Sequence, residues 1–159
     1  MSKKITIKTE KVLAMFNVLN NAKYGKLDDA DKIKLWKITR NLKPIATKFE
    51  EDTKDASEKF KQGFEKFDER LQEAQEFERV TKDKDADTSK LKMGAAEHDA
   101  FIKGDWTKYN KLVADAVDEY AKKENKITIE PISEEAFGKL MSSNDWTFGQ
   151  VDVLDIITE

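Results

Sequence analysis

Lys4-Ile5-Thr6-Ile7-Lys8 and Lys126-Ile127-Thr128-Ile129-Glu130 are near-copies of one another, and between them lies a long body of charged, helix-periodic sequence. In both, isoleucines alternate with polar residues, the period of a strand with one buried face. A two-stranded ribbon alone is marginal in water and gains most by closing a chain whose middle is a helical excursion. The pair therefore predicts an antiparallel ribbon of residues 4–8 with 126–130. The fold class that follows is mainly α with a minor β part, in a single domain. A small head of residues 1–30 and 125–159 carries the ribbon and C-terminal helices; residues 31–124 form a long antiparallel helical hairpin or coiled-coil stalk.

Outward from the first strand, Thr9 stands where an N-cap belongs, and Val12, Met15, Phe16 and Leu19 follow at helical spacing up to a stop at Tyr24-Gly25. Asp28, Asp29 and Asp31 open the next helix, where carboxylates suit the positive end. Leu35, Ile38, Leu42, Ile45 and Phe49 then recur at steps of three and four. After polar Asp52 and Thr53 the seam resumes with Ala56, Phe60, Phe64, Phe67, Leu71 and Ala74, its steps of four reading as a stutter. Pro44 either kinks this helix or divides it after Asn41, and the surviving register favours a kink.

Residues 81–89, Thr-Lys-Asp-Lys-Asp-Ala-Asp-Thr-Ser, are polar and turn-prone and make the expected hairpin tip. The return is marked by Leu91, Ala95 and Phe101, weakened at Gly94 and Gly104. A stripe of Trp106, Tyr109, Val113, Val117 and Tyr120 follows. Beyond the second strand, Ser133 opens a short helix, and Thr147-Phe148-Gly149-Gln150 is a capping box ahead of inward-facing Val151, Leu154 and Ile157.

At 159 residues and 18.3 kDa the chain has the size of one domain. Charged residues are 38% and apolar residues 38%, a polar excess that suits an elongated helical shape. The net charge is only -3, with both signs read as interleaved, so no basic stripe points to nucleic acid. Without cysteine, disulfides, thiolate metal sites and cysteine nucleophiles are excluded. Met1-Ser2-Lys3-Lys4-Ile5 lacks the apolar stretch of a signal peptide and no run reaches membrane-spanning length, so a soluble protein kept in a cytoplasm is expected, with no membrane partner.

Few constellations here suggest chemistry. His98 is the one histidine and sits in surface-like sequence, where a solvated side chain is expected. Asp83, Asp85 and Asp87 have the spacing that opens a calcium loop, but Thr88 stands where the turn glycine belongs and Gly94 where the bidentate glutamate belongs. The six glycines are scattered, leaving no phosphate loop. The expectation is a non-enzyme, with no catalytic residues, cofactor, metal or small-molecule substrate. Aromatics are the remaining candidates. Trp36 beside the seam and Trp106 at the head of a stripe read as core. Trp146, just ahead of the N-cap, reads as a hydrophobic staple or as a partner anchor. Phe60, Phe64 and Phe67 read as internal seam, or as a partner-binding or self-association surface if the weak returning helix leaves them uncovered.

The order strand, short helix with Leu19-Asn20, long charged helix, polar tip, Trp106-Thr107-Lys108-Tyr109-Asn110-Lys111-Leu112, strand Lys126-Ile127-Thr128-Ile129-Glu130-Pro131-Ile132-Ser133 and helical tail resembles small proteins of tailed bacteriophages and prophages. That resemblance implies a structural, chaperone-like or adaptor role among head and tail assembly proteins. It also implies a place in the host bacterial cytoplasm or the virion, and phage structural proteins or further copies of the chain as partners. A second reading is a phage-encoded inhibitor that binds a host protein.

Overall fold

A computed structural model describes residues 1–159. The chain is mainly α-helical with one two-stranded antiparallel sheet, and it divides into two compact units: Met1–Glu51 with Glu119–Glu159, and Asp52–Asp118.

In the first unit, β1 (Lys3–Lys8) pairs with β2 (Glu124–Ile129). Ile5 lies opposite Ile127, Lys3 opposite Ile129 and Lys8 opposite Glu124. The ribbon thus forms between the two expected segments, with Glu130 just beyond it. Ile7 and Ile129 point into the core while Lys4, Thr6, Lys126 and Thr128 face solvent, the alternation that fixes which face is buried. β1 runs directly into α1 (Thr9–Asn20), so Lys8 rather than Thr9 holds the N-cap position. Thr9 is instead buried at the corner, where its backbone N–H and its hydroxyl both donate to the Lys123 carbonyl, at 2.9 and 3.1 Å.

Asp28 does cap α2 (Asp29–Lys61), its carboxylate accepting from the Asp31 N–H at 2.8 Å. α2 runs without a break through Pro44. Leu42 and Ala46 on either side are buried and Pro44 itself is exposed, so packing holds the register while the carbonyl that loses its donor lies on the wet face. Two short helices, α6 (Glu134–Ser142) and α7 (Phe148–Val153), complete the unit with a 3-10 turn at Asp155–Ile157. Ser133 caps α6, and at Thr147 both bonds of the capping box form. The Ile132 N–H donates to Ile157 and the Glu159 N–H donates back to Ile132, at 2.9 and 3.0 Å. Met15, Leu19, Leu35, Ile38, Leu42, Leu140 and Leu154 make the centre of this core, each 1% exposed or less.

The second unit departs from the expected uninterrupted helix. α2 stops at Lys61. Three tight bonds follow, from the N–H groups of Gln62, Gly63 and Phe64 to the carbonyls three residues earlier, and Lys66 takes a left-handed φ of 50°. The steps of four from Ala56 to Phe64 therefore mark a turn rather than a stutter. Turning lets Phe64 and Phe67 meet Tyr109, at ring distances of 6.4 and 4.4 Å, contacts a straight seam would have to find elsewhere. α3 (Phe67–Lys82) takes in Thr81 and Lys82, and the rest of the expected polar tip, residues 83–89, is turn and loop. The return is α4 (Ala95–Phe101), a π-helical turn at Ile102–Trp106, and α5 (Thr107–Lys122). Gly104 lies inside that wide turn, and the Thr107 hydroxyl donates to the Ile102 carbonyl at 2.6 Å, satisfying a group the wide turn displaces.

Candidate functional site

Two large aromatic side chains stand in water on the first unit. Phe148 is 91% exposed and Trp36 is 58% exposed. Phe148 is the first residue of α7, inside the capping box of Thr147 and Gln150 that fixes where that helix begins. Trp36 lies on α2 opposite the buried stripe of Leu35, Ile38 and Leu42, one turn from Arg40, whose guanidinium sits 5.2 Å from its ring centroid. Trp36 as core is thereby corrected: residues 35, 38 and 42 already fill the inward face, and position 36 is carried round to the outside.

Of the four aromatics singled out as partner-binding, Trp146 is half-buried against the first core. Phe67 is 3% exposed at the middle of the second core, with Phe60 and Phe64 half-buried around it. Phe67 stacks with Trp106 at 6.2 Å and meets Phe101 at 5.9 Å. Arg70 covers Phe101 from 5.0 Å and pairs with Asp105 of the π-helical turn at 2.8 Å. The structure thus gathers Phe60, Phe64 and Phe67 into one internal cluster and keeps Trp146 apart in the other unit.

His98 is corrected from a solvated side chain to a tether. It stacks on Phe77 at 4.6 Å, and its Nε2 lies 3.0 Å from the Glu78 carboxylate, joining α4 to α3. Two aspartates of the polar loop, Asp83 and Asp87, bond to residues two positions further on. Asp83 accepts from the Asp85 N–H at 3.0 Å, and Asp87 accepts from both the N–H and the hydroxyl of Ser89, which hold its carboxyl below the usual range. A cleft of about 300 Å³ lies between Glu69, Gln72, Glu73 and Glu76 of α3 and Lys90 and Lys92. Glu76 is paired with Arg79, which lowers its pKa. All of the lining except half-buried Glu73 is exposed, a solvated setting unlike the burial that separates a catalytic acid from a base.

Charge is less evenly mixed than the whole-chain balance implies. From Lys32 to Phe49 there are six basic residues and no acidic one, and after Lys139 there are four acidic residues and no basic one. Lys32 pairs with Asp29 and Lys34 lies 3.8 Å from Glu130, but Lys37, Arg40 and Lys43 have no carboxylate within ion-pair distance. Near them the Asn41 side chain donates to the Thr128 carbonyl at 3.2 Å, seating α2 along β2. Exposed Lys4 is opposite Thr128 across the ribbon, next to that contact. The cations of this α2 face were missed because a sum over the chain cancels them against acids located elsewhere. Phe148 was missed because it lies three residues ahead of Val151 and looks like one more member of an inward stripe.

No helix is long and apolar enough to cross a membrane. No family model, curated protein or solved structure matches the chain.

Proposed function

We propose that this chain is a non-enzymatic adaptor or assembly protein of a tailed bacteriophage or prophage, and that it works by docking other proteins on aromatic side chains held out from rigid helices. The observation that carries this reading is Phe148, 91% exposed at the fixed start of a capped helix. Aromatic side chains dominate the energetics of protein interfaces, and a rigid support spares the entropy of ordering them on binding. Exposed Trp36 with its Arg40 neighbour adds a second anchor of the residue types enriched at such surfaces. The phage setting draws its support from the resemblance in element order.

Capture by the immobilised full chain from phage-infected and uninfected bacterial lysates tests this. Phage structural proteins retained by the native chain and lost with Phe148→Ala or Trp36→Ala are the expected result. Retention of one host protein from uninfected cells would favour the inhibitor reading. Capture that ignores both substitutions would overturn the assignment of these surfaces.

A further inference from the structure

The two exposed aromatics carry charges of opposite sign at the same spacing. On α2, Trp36 is followed by Arg40 and Lys43; at the C-terminal end, Phe148 is followed by Asp152 and Asp155. Both series step by four and then three residues. Trp36, Arg40 and Lys43 share one face of α2 over roughly 10 Å; Phe148 and Asp152 share one face of α7, and Asp155 follows in the 3-10 turn just beyond its end. All six side chains belong to exposed residues. Arg40 and Lys43 lack an acidic partner, and so does Asp152; Asp155 meets Lys11 through one oxygen and its side chain stays 69% exposed.

We propose that the occupant of the Trp36 face is the Phe148 face of a second copy of this chain. Trp36 then meets Phe148 and Arg40 faces Asp152 with α2 and α7 parallel, and Lys43 lies toward the 3-10 turn that carries Asp155. This rests on the reading of Trp36 and Phe148 as docking surfaces and names the partner of both. A contact between unlike surfaces is head-to-tail, so each copy keeps one free end and the association propagates into a row or closes into a ring. A strip of six side chains buries less than the roughly 1,000 Å² of a stable pair. Single contacts are therefore weak, and the row lengthens only as concentration rises unless a ring closes. Exposed ion pairs add little affinity but set orientation, and salt screens them.

Sedimentation equilibrium of the full chain at rising concentration is the test. The average mass should climb with concentration and fall back as salt is added. Arg40→Glu alone and Asp152→Lys alone should each weaken association by about tenfold or more, since like charges then face each other. An equimolar mixture of the two variants should restore it: one contact of each mixed pair is native, and at the other the two substituted side chains face each other, again with opposite charge. Both sites are exposed, and far-ultraviolet circular dichroism confirms that the variants fold. A chain that stays monomeric at every concentration, association indifferent to either substitution, or a mixture that is not restored would each overturn the proposal. A monomer that still captures a foreign protein through Phe148 would overturn self-association and leave the docking function standing.

Discussion

The Asn125 side chain donates to the Thr9 hydroxyl at 2.9 Å, joining the corner where β1 becomes α1 to the corner where α5 becomes β2. The same amide lies 3.2 Å from the carbonyls of Ile7 and Lys123. Thr9 is 4% exposed, so removing Asn125 leaves a buried hydroxyl with one partner fewer. Asn125→Ala should cost about 1–3 kcal/mol, read as a lower urea midpoint with an unchanged slope. A midpoint equal to the native one would show that water replaces the amide freely.

Lys66 is the one residue other than glycine with positive φ. A side chain there costs about 1–2 kcal/mol in the left-handed region, and glycine returns part of that gain as unfolded-state entropy, about 0.5–1 kcal/mol. Lys66→Gly should therefore stabilise the second unit by about 0.5–1 kcal/mol. Thermal unfolding followed by near-ultraviolet circular dichroism, which reports the aromatic cluster, checks the sign. A loss of stability would mean that the lysine makes a compensating contact.

Burial pushes the Tyr24 hydroxyl above its ordinary pKa, against a smaller opposite pull from the Thr39 side chain. The folded state therefore holds this proton more tightly than the unfolded chain, whose tyrosine ionises near pH 10. Its contribution is complete below about pH 10 and is lost as pH rises through the folded value. The hydroxyl also donates to the Leu19 carbonyl. Tyr24→Phe should cost about 1 kcal/mol at neutral pH. That deficit should shrink above about pH 10, where only the native chain pays for deprotonation. Urea midpoints of both proteins across that range decide it, and a constant difference would count against the buried phenol.

The ribbon was legible because strand alternation is a local signal and two matching copies supply the pairing; Ile5 opposite Ile127 follows from it. The caps at Asp28, Ser133 and Thr147 were legible for the same reason: each is decided within four residues. The end of α2 was not. Phe60, Phe64 and Phe67 satisfy a helical seam as well as they satisfy a turn, and what selects the turn is Tyr109, more than forty residues away. Trp36 failed for the opposite reason, since its hydrophobicity suggests burial while its angle about the helix forbids it. The candidate docking surface was correspondingly the least readable part. Exposure is settled by what packs elsewhere, and local periodicity does not record it.

Phe67 packs against Phe64, Phe101, Trp106 and Tyr109, so it joins the turn after α2 to three later segments. Truncating a buried phenylalanine costs about 3–5 kcal/mol, a large share of a typical domain's stability. The two cores share no residue, so the loss should open one unit and spare the other. In Phe67→Ala, hydrogen exchange should accelerate at the amides of α3 and α4 while those of β1 and β2 keep their protection. Phe67→Leu, which restores most of the volume, should recover most of that protection. Equal acceleration in the ribbon would mean that the two units unfold as one, and their separate hydrophobic centres would then not be separate in energy.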